Sequence, residues 1–221
     1  MTKKLYALQR KGQKRVELSY GALYRNFAVK LDGIQVGTAA DRNELKNGKT
    51  FTLSNGSKLR VQLEKNSQVS VYMNDRPLPD SPTDPVKKFT NAYSTIFVIA
   101  VWTALLSFVL PAILHSTSGR TTSAAASTFT IVFALAFAGF FALLGWLVMQ
   151  KIRIALWIAI IVYGIDLLFL VFGMLNGSST FVAGIPVHLF FLYYMYKGFE
   201  GLDALEQEQA RSQSEVLAPL A

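Results

Sequence analysis

"IALWIAIIVYGIDLLFLVFGML" runs from Ile154 to Leu175 and carries one charge, Asp166. A helix needs about 20 mainly apolar residues, each rising about 1.5 Å, to cross a hydrocarbon core of about 30 Å. This stretch supplies them, and its length excludes a single buried strand. Outward from it, Ala92–Leu114 and Ala124–Met149 hold no charge, and Ser178–Tyr196 holds only His188. The reading is therefore four transmembrane helices, at about 92–114, 124–149, 154–175 and 178–196. The fourth is short and broken by Gly184-Ile185-Pro186, which predicts a kink or a re-entrant piece.

The flanking charges predict the orientation. Lys87 and Lys88 precede the first span, Lys151 and Arg153 sit in the tight second turn, and Lys197 follows the fourth. The loop near Arg120 holds one basic residue and the loop after Leu175 none. The positive-inside rule places both termini in the cytoplasm, in a multi-pass protein of the inner or plasma membrane. The start, "MTKKLYALQRKGQKRV", lacks the apolar run of a secretory signal, so the N-terminal half is expected to stay on the side where it is made.

The whole chain has 221 residues, no cysteine, 52% hydrophobic residues and a mean hydropathy of +0.32. The missing cysteine excludes disulfides, thiolate catalysis and cysteine-ligated zinc. The net charge of +8 is uneven. Residues 1–91 hold 17 of the 22 Lys/Arg, and the tail from Lys197 is acidic.

That N-terminal half alternates in the manner of short strands. "FAVKLDGIQVGTA" (27–39) and "FTLSNGSKLRVQL" (51–63) each enclose a tight-turn dipeptide, Asp32-Gly33 and Asn55-Gly56, and "VSVYMNDRPL" (69–78) encloses Asn74-Asp75. The expectation is a small antiparallel β-sandwich or barrel-like domain at 16–79, with six to eight strands. A basic N-terminal arm would precede it at 1–15. A stiff proline-containing linker would follow at 80–91, since each proline fixes its own φ. The fold class is thus α+β membrane protein, with a four-helix transmembrane bundle and a partly helical acidic tail at 197–221.

"SYGALYRNFAVKLDGIQVG", "ELKNGKTFTLSNGSKLRVQL" and "VYMNDRPLPDSPTDP", followed by apolar spans, give the chain a resemblance. It resembles a group of uncharacterised bacterial membrane proteins that join an N-terminal β domain to four transmembrane helices. The shared residues are turn and core positions, so the resemblance implies the fold and supplies no catalytic residues.

Three sets of residues are candidates for function. Asp166 is first, because an ionised carboxylate at mid-membrane costs about 3 kcal/mol on insertion scales and should face the bundle interior. His188 is its expected partner. Asp166 lies roughly 18 Å into an outward span and His188 roughly 15 Å from either face of the returning one. Such a pair fixes helix packing or takes part in a proton or cation path. The second set is Lys3, Lys4, Arg10, Lys11, Lys14 and Arg15, a basic arm facing anionic lipid. The third is a packing seam of small residues: Thr130, Ala134, Ala138 and Ala142 in one span, and Ala155, Ala159 and Gly173 in another.

No catalytic constellation, phosphate loop, cofactor motif or metal-ligand spacing is present in the sequence, and no specific nucleic acid is expected. The expected function is a non-enzymatic accessory or interaction protein, contacting membrane lipids and a protein partner through the β domain or the C-terminal tail. The tail's Leu202 and Leu205 allow one amphipathic face. The alternative is a small proton- or ion-coupled transporter using Asp166 and His188. The sequence does not set an oligomeric state.

Overall fold

The computed structural model describes residues 1–65, 67–118, 124–176 and 184–217, which divide into two units, Met1–Lys87 and Lys88–Ala221. In the first, eight strands are described: β1 (Thr2–Ala7), β2 (Lys14–Tyr20), β3 (Phe27–Leu31), β4 (Ile34–Ala39), β5 (Lys49–Thr52), β6 (Lys58–Leu63), β7 (Val69–Met73) and β8 (Arg76–Pro77). They form two four-stranded antiparallel meanders, β1-β2-β3-β4 and β5-β6-β7-β8. Alternation decides which residues turn inward. Val16 and Leu18, Phe27 and Val29, Leu59 and Val61, and Val69 and Val71 are all buried in one cluster that draws on both sheets.

The turn dipeptides act as expected. Asp32 and Gly33 both adopt positive φ (54° and 81°) and close the β3–β4 hairpin, in which Leu31 faces Ile34. Asn74 and Asp75 (50° and 62°) close β7–β8, and the Asn74 side chain also accepts from the Lys58 N–H at 2.8 Å.

Two expected boundaries are corrected. Residues 1–15 are not a free arm, because Thr2–Ala7 pairs along β2 and buries Tyr6 and Ala7. The proline-containing linker expected at 80–91 is a buried turn followed by a helix from Pro85. Ser81 and Asp84 are buried, with Asp84 2% exposed, and the Ser81 hydroxyl accepts from the Val71 N–H at 3.2 Å. Asp84 then caps a helix that begins at Pro85, accepting from the Val86 N–H at 3.1 Å. The sequence reading also missed a short helix, α1 (Arg42–Asn47). Asp41 accepts from the Glu44 N–H, and Glu44 reaches back to the Ala40 N–H.

The long helices are α2 (Pro85–Ser118), α3 (Ala124–Met149), α4 (Arg153–Leu175) and α5 (Gly184–Leu217). Among the described residues three segments are long and apolar enough to cross a membrane: Pro85–Leu106, Ile131–Met149 and Arg153–Leu175. Residues 178–183 of the expected fourth span lie outside the described residues. The described remainder runs unbroken as α5 through the first part of the acidic tail, so no break separates span and tail at 196/197.

In the second unit α3, α4 and α5 follow one another antiparallel. Phe141 meets Tyr163 edge-on at 6.1 Å between centroids. Between α4 and α5, Tyr163 meets Phe191 at 6.2 Å, Trp157 meets Phe199 at 4.8 Å, and Arg153 pairs with Asp203. The helix α2 joins through Ala92, which faces Gly198, and Lys88, which bonds Glu200 at 2.8 Å. A buried cluster with Ile96, Phe141, Leu156, Ala159, Met195 and Leu202 lies between them.

Candidate functional site

The antiparallel register of α4 and α5 sets a meeting at the edge of the helical unit, where Asp166 is half exposed and, contrary to expectation, does not face the bundle interior. Asp166 Oδ2 and His188 Nε2 are 2.9 Å apart, as counting residues from the span ends predicts. The imidazole's other nitrogen, Nδ1, lies 2.9 Å from the carbonyl oxygen of Gly184, one turn back on its own helix. A carbonyl only accepts, so Nδ1 carries a proton. A neutral ring would then present a lone pair from Nε2 to Asp166. The 2.9 Å contact therefore needs one further proton, held on the carboxyl or on Nε2. In either form the pair is net neutral, which removes most of the cost of a lone carboxylate in hydrocarbon.

Sequence reasoning missed the third member. The ring of Tyr163 stacks on His188, 4.6 Å between centroids and 8° from parallel. Tyr163 is buried, and it shares a helical face with Asp166 three residues on. The imidazole is thus fixed by the stack, the Gly184 carbonyl and Asp166. Gly184 lets α5 approach α4 closely: a Cβ there would sit 2.9 Å from Leu170 Cδ1. The two acid–base side chains differ in access, since His188 is 15% exposed and Asp166 50%.

The basic set does not stay together. Arg10 turns to the buried Asp84, Nη2 to Oδ1 at 2.7 Å, and so is not free to face lipid. Arg15 pairs with Asp32, Nε to Oδ1 at 2.6 Å, which holds the Asp32 carboxyl below the usual carboxylate range. Lys3 pairs with Glu17 at 3.2 Å. Lys4, Lys11 and Lys14 have no ion pair among the described residues. Of the small residues, Ala155 and Ala159 lie in the buried cluster and Ala138 is buried, while Ala142 packs against that cluster half-buried. Ala134 and Gly173 are half-buried, and the Thr130 side chain lies outside the described residues.

The acidic tail finds its first partners within the helical unit. Glu200 bonds Lys88 and Lys197, and Asp203 bonds Arg153. Burial works against the Glu200 charge, but the two ammonium groups hold its carboxyl below the usual range.

The β unit carries a second concave surface that the sequence reading did not single out. Leu23, Tyr24 and Asn26 all adopt positive φ (53°, 64° and 53°), although none is glycine. Such backbone costs of order 1 kcal/mol or more per residue and marks sites over-determined by their surroundings. Here the Tyr24 hydroxyl donates to the Ser67 carbonyl, Arg42 Nη2 donates to Ser67 Oγ at 3.3 Å, and the Gly21 N–H bonds the Arg25 carbonyl at 2.8 Å. The resulting concavity, about 550 Å³, is lined by Leu23, Tyr24, Arg25, Asn26, Asp41 and Arg42. Leu23 stands 69% exposed at its edge. Among the described residues no group of three or more His, Cys, Asp or Glu is placed to hold a metal ion.

Comparison of the chain with protein-family models, with curated proteins and with solved structures finds no match.

Proposed function

We propose that the chain is a non-enzymatic membrane interaction protein: a helical anchor that presents a β domain to a protein partner. The supporting observation is the Leu23–Asn26 loop. Three left-handed non-glycine residues hold an exposed leucine beside Arg25 and Arg42, a backbone that costs folding stability; Tyr24 packs on the core, but Leu23 does not. A partner with an apolar side chain for Leu23 and an acidic group for Arg25 fits that surface. In this reading the two sheets close as a sandwich, which their common buried cluster supports. The start of α5 completes a fourth span, the protein lies in the cell membrane with both termini cytoplasmic, and the Asp166–His188 pair fastens α4 to α5.

A photo-crosslinking residue at position 23 tests it in intact cells. One discrete crosslinked partner, lost with Arg25→Glu and kept with Asp166→Asn, is the expected result. A crosslinking pattern that Arg25→Glu leaves unchanged contradicts it.

The Asp166–His188 contact favours a second reading, a proton-coupled transporter. There Asp166→Asn abolishes solute flux in proteoliposomes, whereas in the interaction reading it leaves partner capture intact.

A further inference from the structure

A different part of the helical unit carries polar groups that neither reading uses. Asn91, Ser94 and Thr95 share one face of α2, at i, i+3 and i+4. Across from them on α5 stand Phe190, Phe191 and Tyr194, and between the helices runs a groove of about 310 Å³. That volume lies at the small end of ligand cavities, which run about 300–1,000 Å³. The Thr95 hydroxyl is satisfied by the Asn91 carbonyl at 2.8 Å. The Asn91 amide and the Ser94 and Tyr194 hydroxyls have no hydrogen-bond partner among the described residues. All three α2 residues lie within a segment apolar enough to span a membrane. An unsatisfied polar group costs free energy there, so these groups call for a ligand that has polar atoms at this depth.

The charges at one end of the groove say which ligand. Lys88 stands one turn before Asn91 on α2, and Lys197 one turn after Tyr194 on α5. Both lysines reach the same carboxylate, Glu200, Lys88 at 2.8 Å. Two ammonium groups sharing one carboxylate leave a single net positive charge at the groove mouth. Further in, the groove turns apolar, with Val98 and Phe190 each about half exposed. From mouth to end the order is cationic, then amide and hydroxyl, then apolar. A phospholipid lying along a helix has the matching order: phosphate, glycerol esters, acyl chain.

We propose that the groove between α2 and α5 is a binding site for one anionic glycerophospholipid of the leaflet on the Lys88 side. Its phosphate meets Lys88 and Lys197. Its ester oxygens accept from Asn91, Ser94 and Tyr194. One acyl chain runs over Val98, Phe190 and Phe191.

The test uses the full chain purified in detergent, delipidated, and mixed with phosphatidylglycerol or phosphatidylcholine, with retained lipid counted by native mass spectrometry. The wild type is expected to retain one phosphatidylglycerol in preference to phosphatidylcholine. Asn91→Leu/Ser94→Leu fills the groove and removes two donors, and retention should fall at least tenfold. Lys197→Gln removes the net charge from outside the groove and should cut the phosphatidylglycerol preference about fivefold, the effect of one charge near a lipid surface. Unchanged tryptophan emission in Lys197→Gln checks that the bundle is intact. Equal retention of the two lipids by the wild type overturns the proposal. So does a phosphatidylglycerol preference that survives both variants.

Discussion

Gly198→Ala is a one-methyl change whose effect follows from the distance between two helices. A Cβ at Gly198 would lie under 3.0 Å from the Cβ of Ala92 on α2, and 3.2 Å from Leu156 Cδ2 on α4. Carbon atoms in contact prefer about 3.5–4.0 Å. Leu156 can rotate, but a Cβ cannot move without its backbone. Helix α5 must therefore draw away from α2 by roughly 1–1.5 Å, and packing lost through such overfilling costs typically about 1–3 kcal/mol. Ala92→Gly alone is expected to cost about 1 kcal/mol, from helix propensity and lost contact. The double variant moves the methyl from one helix to the other and restores the fit. The two changes should thus be coupled by at least about 1 kcal/mol, with the double variant more stable than the sum of the singles implies. Reversible unfolding of the full chain in mixed micelles, titrated with a denaturing detergent, measures all four corners of this cycle. Trp157 is the reporter, since its ring lies 4.8 Å from that of Phe199, next to Gly198. Additivity within about 0.3–0.5 kcal/mol would refute the close approach of α2 and α5.

The β domain supplies three further tests. Arg10→Ala leaves the buried Asp84 without its guanidinium and is expected to destabilise the domain by about 3 kcal/mol, measured by hydrogen exchange of the β7 amides. Burial, and then the neighbouring Tyr20 and Asp80 charges, push the Tyr6 hydroxyl up to about 12 from 10.0. Its contribution is present below pH 10 and is lost as pH rises from 10 toward 12. Tyr6→Phe should remove that part of the alkaline limb in a pH-unfolding series. The Lys49 ammonium and the Ala40 N–H hold the Glu44 carboxyl below its ordinary 4.5. Its contribution is full above pH 4.5 and falls away as pH drops through the lowered value, so Glu44→Gln should flatten the acid limb of the same series.

How much of this was legible in the sequence depended on range. Turns and spans are local: Asp32-Gly33 and Asn74-Asp75 gave two turns directly, and the apolar segments gave three spans, with the first displaced toward Pro85. The Asp166–His188 meeting was also legible, because antiparallel helices of known rise convert sequence position into depth. The strand β1 was hidden by its own edge position. Lysines at 3 and 4 blunt the alternation, as charged residues do on sheet edges. The role of Asp84 was hidden by distance, since its partner Arg10 is 74 residues away and its proline-rich surroundings read as a linker. Helix α1 has a sequence signal of its own, Asp41 and Glu44 at capping-box spacing. Tyr163 could not have been found by spacing alone, because three residues separate it from Asp166 whether or not a ring from another helix stacks on it. The strain at Leu23 and Tyr24 has no sequence signal, since neither residue type favours positive φ.

Asp166 and His188 join α4 to α5 through one hydrogen bond, Oδ2 to Nε2 at 2.9 Å. The most direct measurement is the carboxyl-stretch infrared band of Asp166, in protein reconstituted in nanodiscs, with and without His188→Gln. The expected result is a band displaced by His188→Gln. A band that His188→Gln leaves unchanged would contradict that bond.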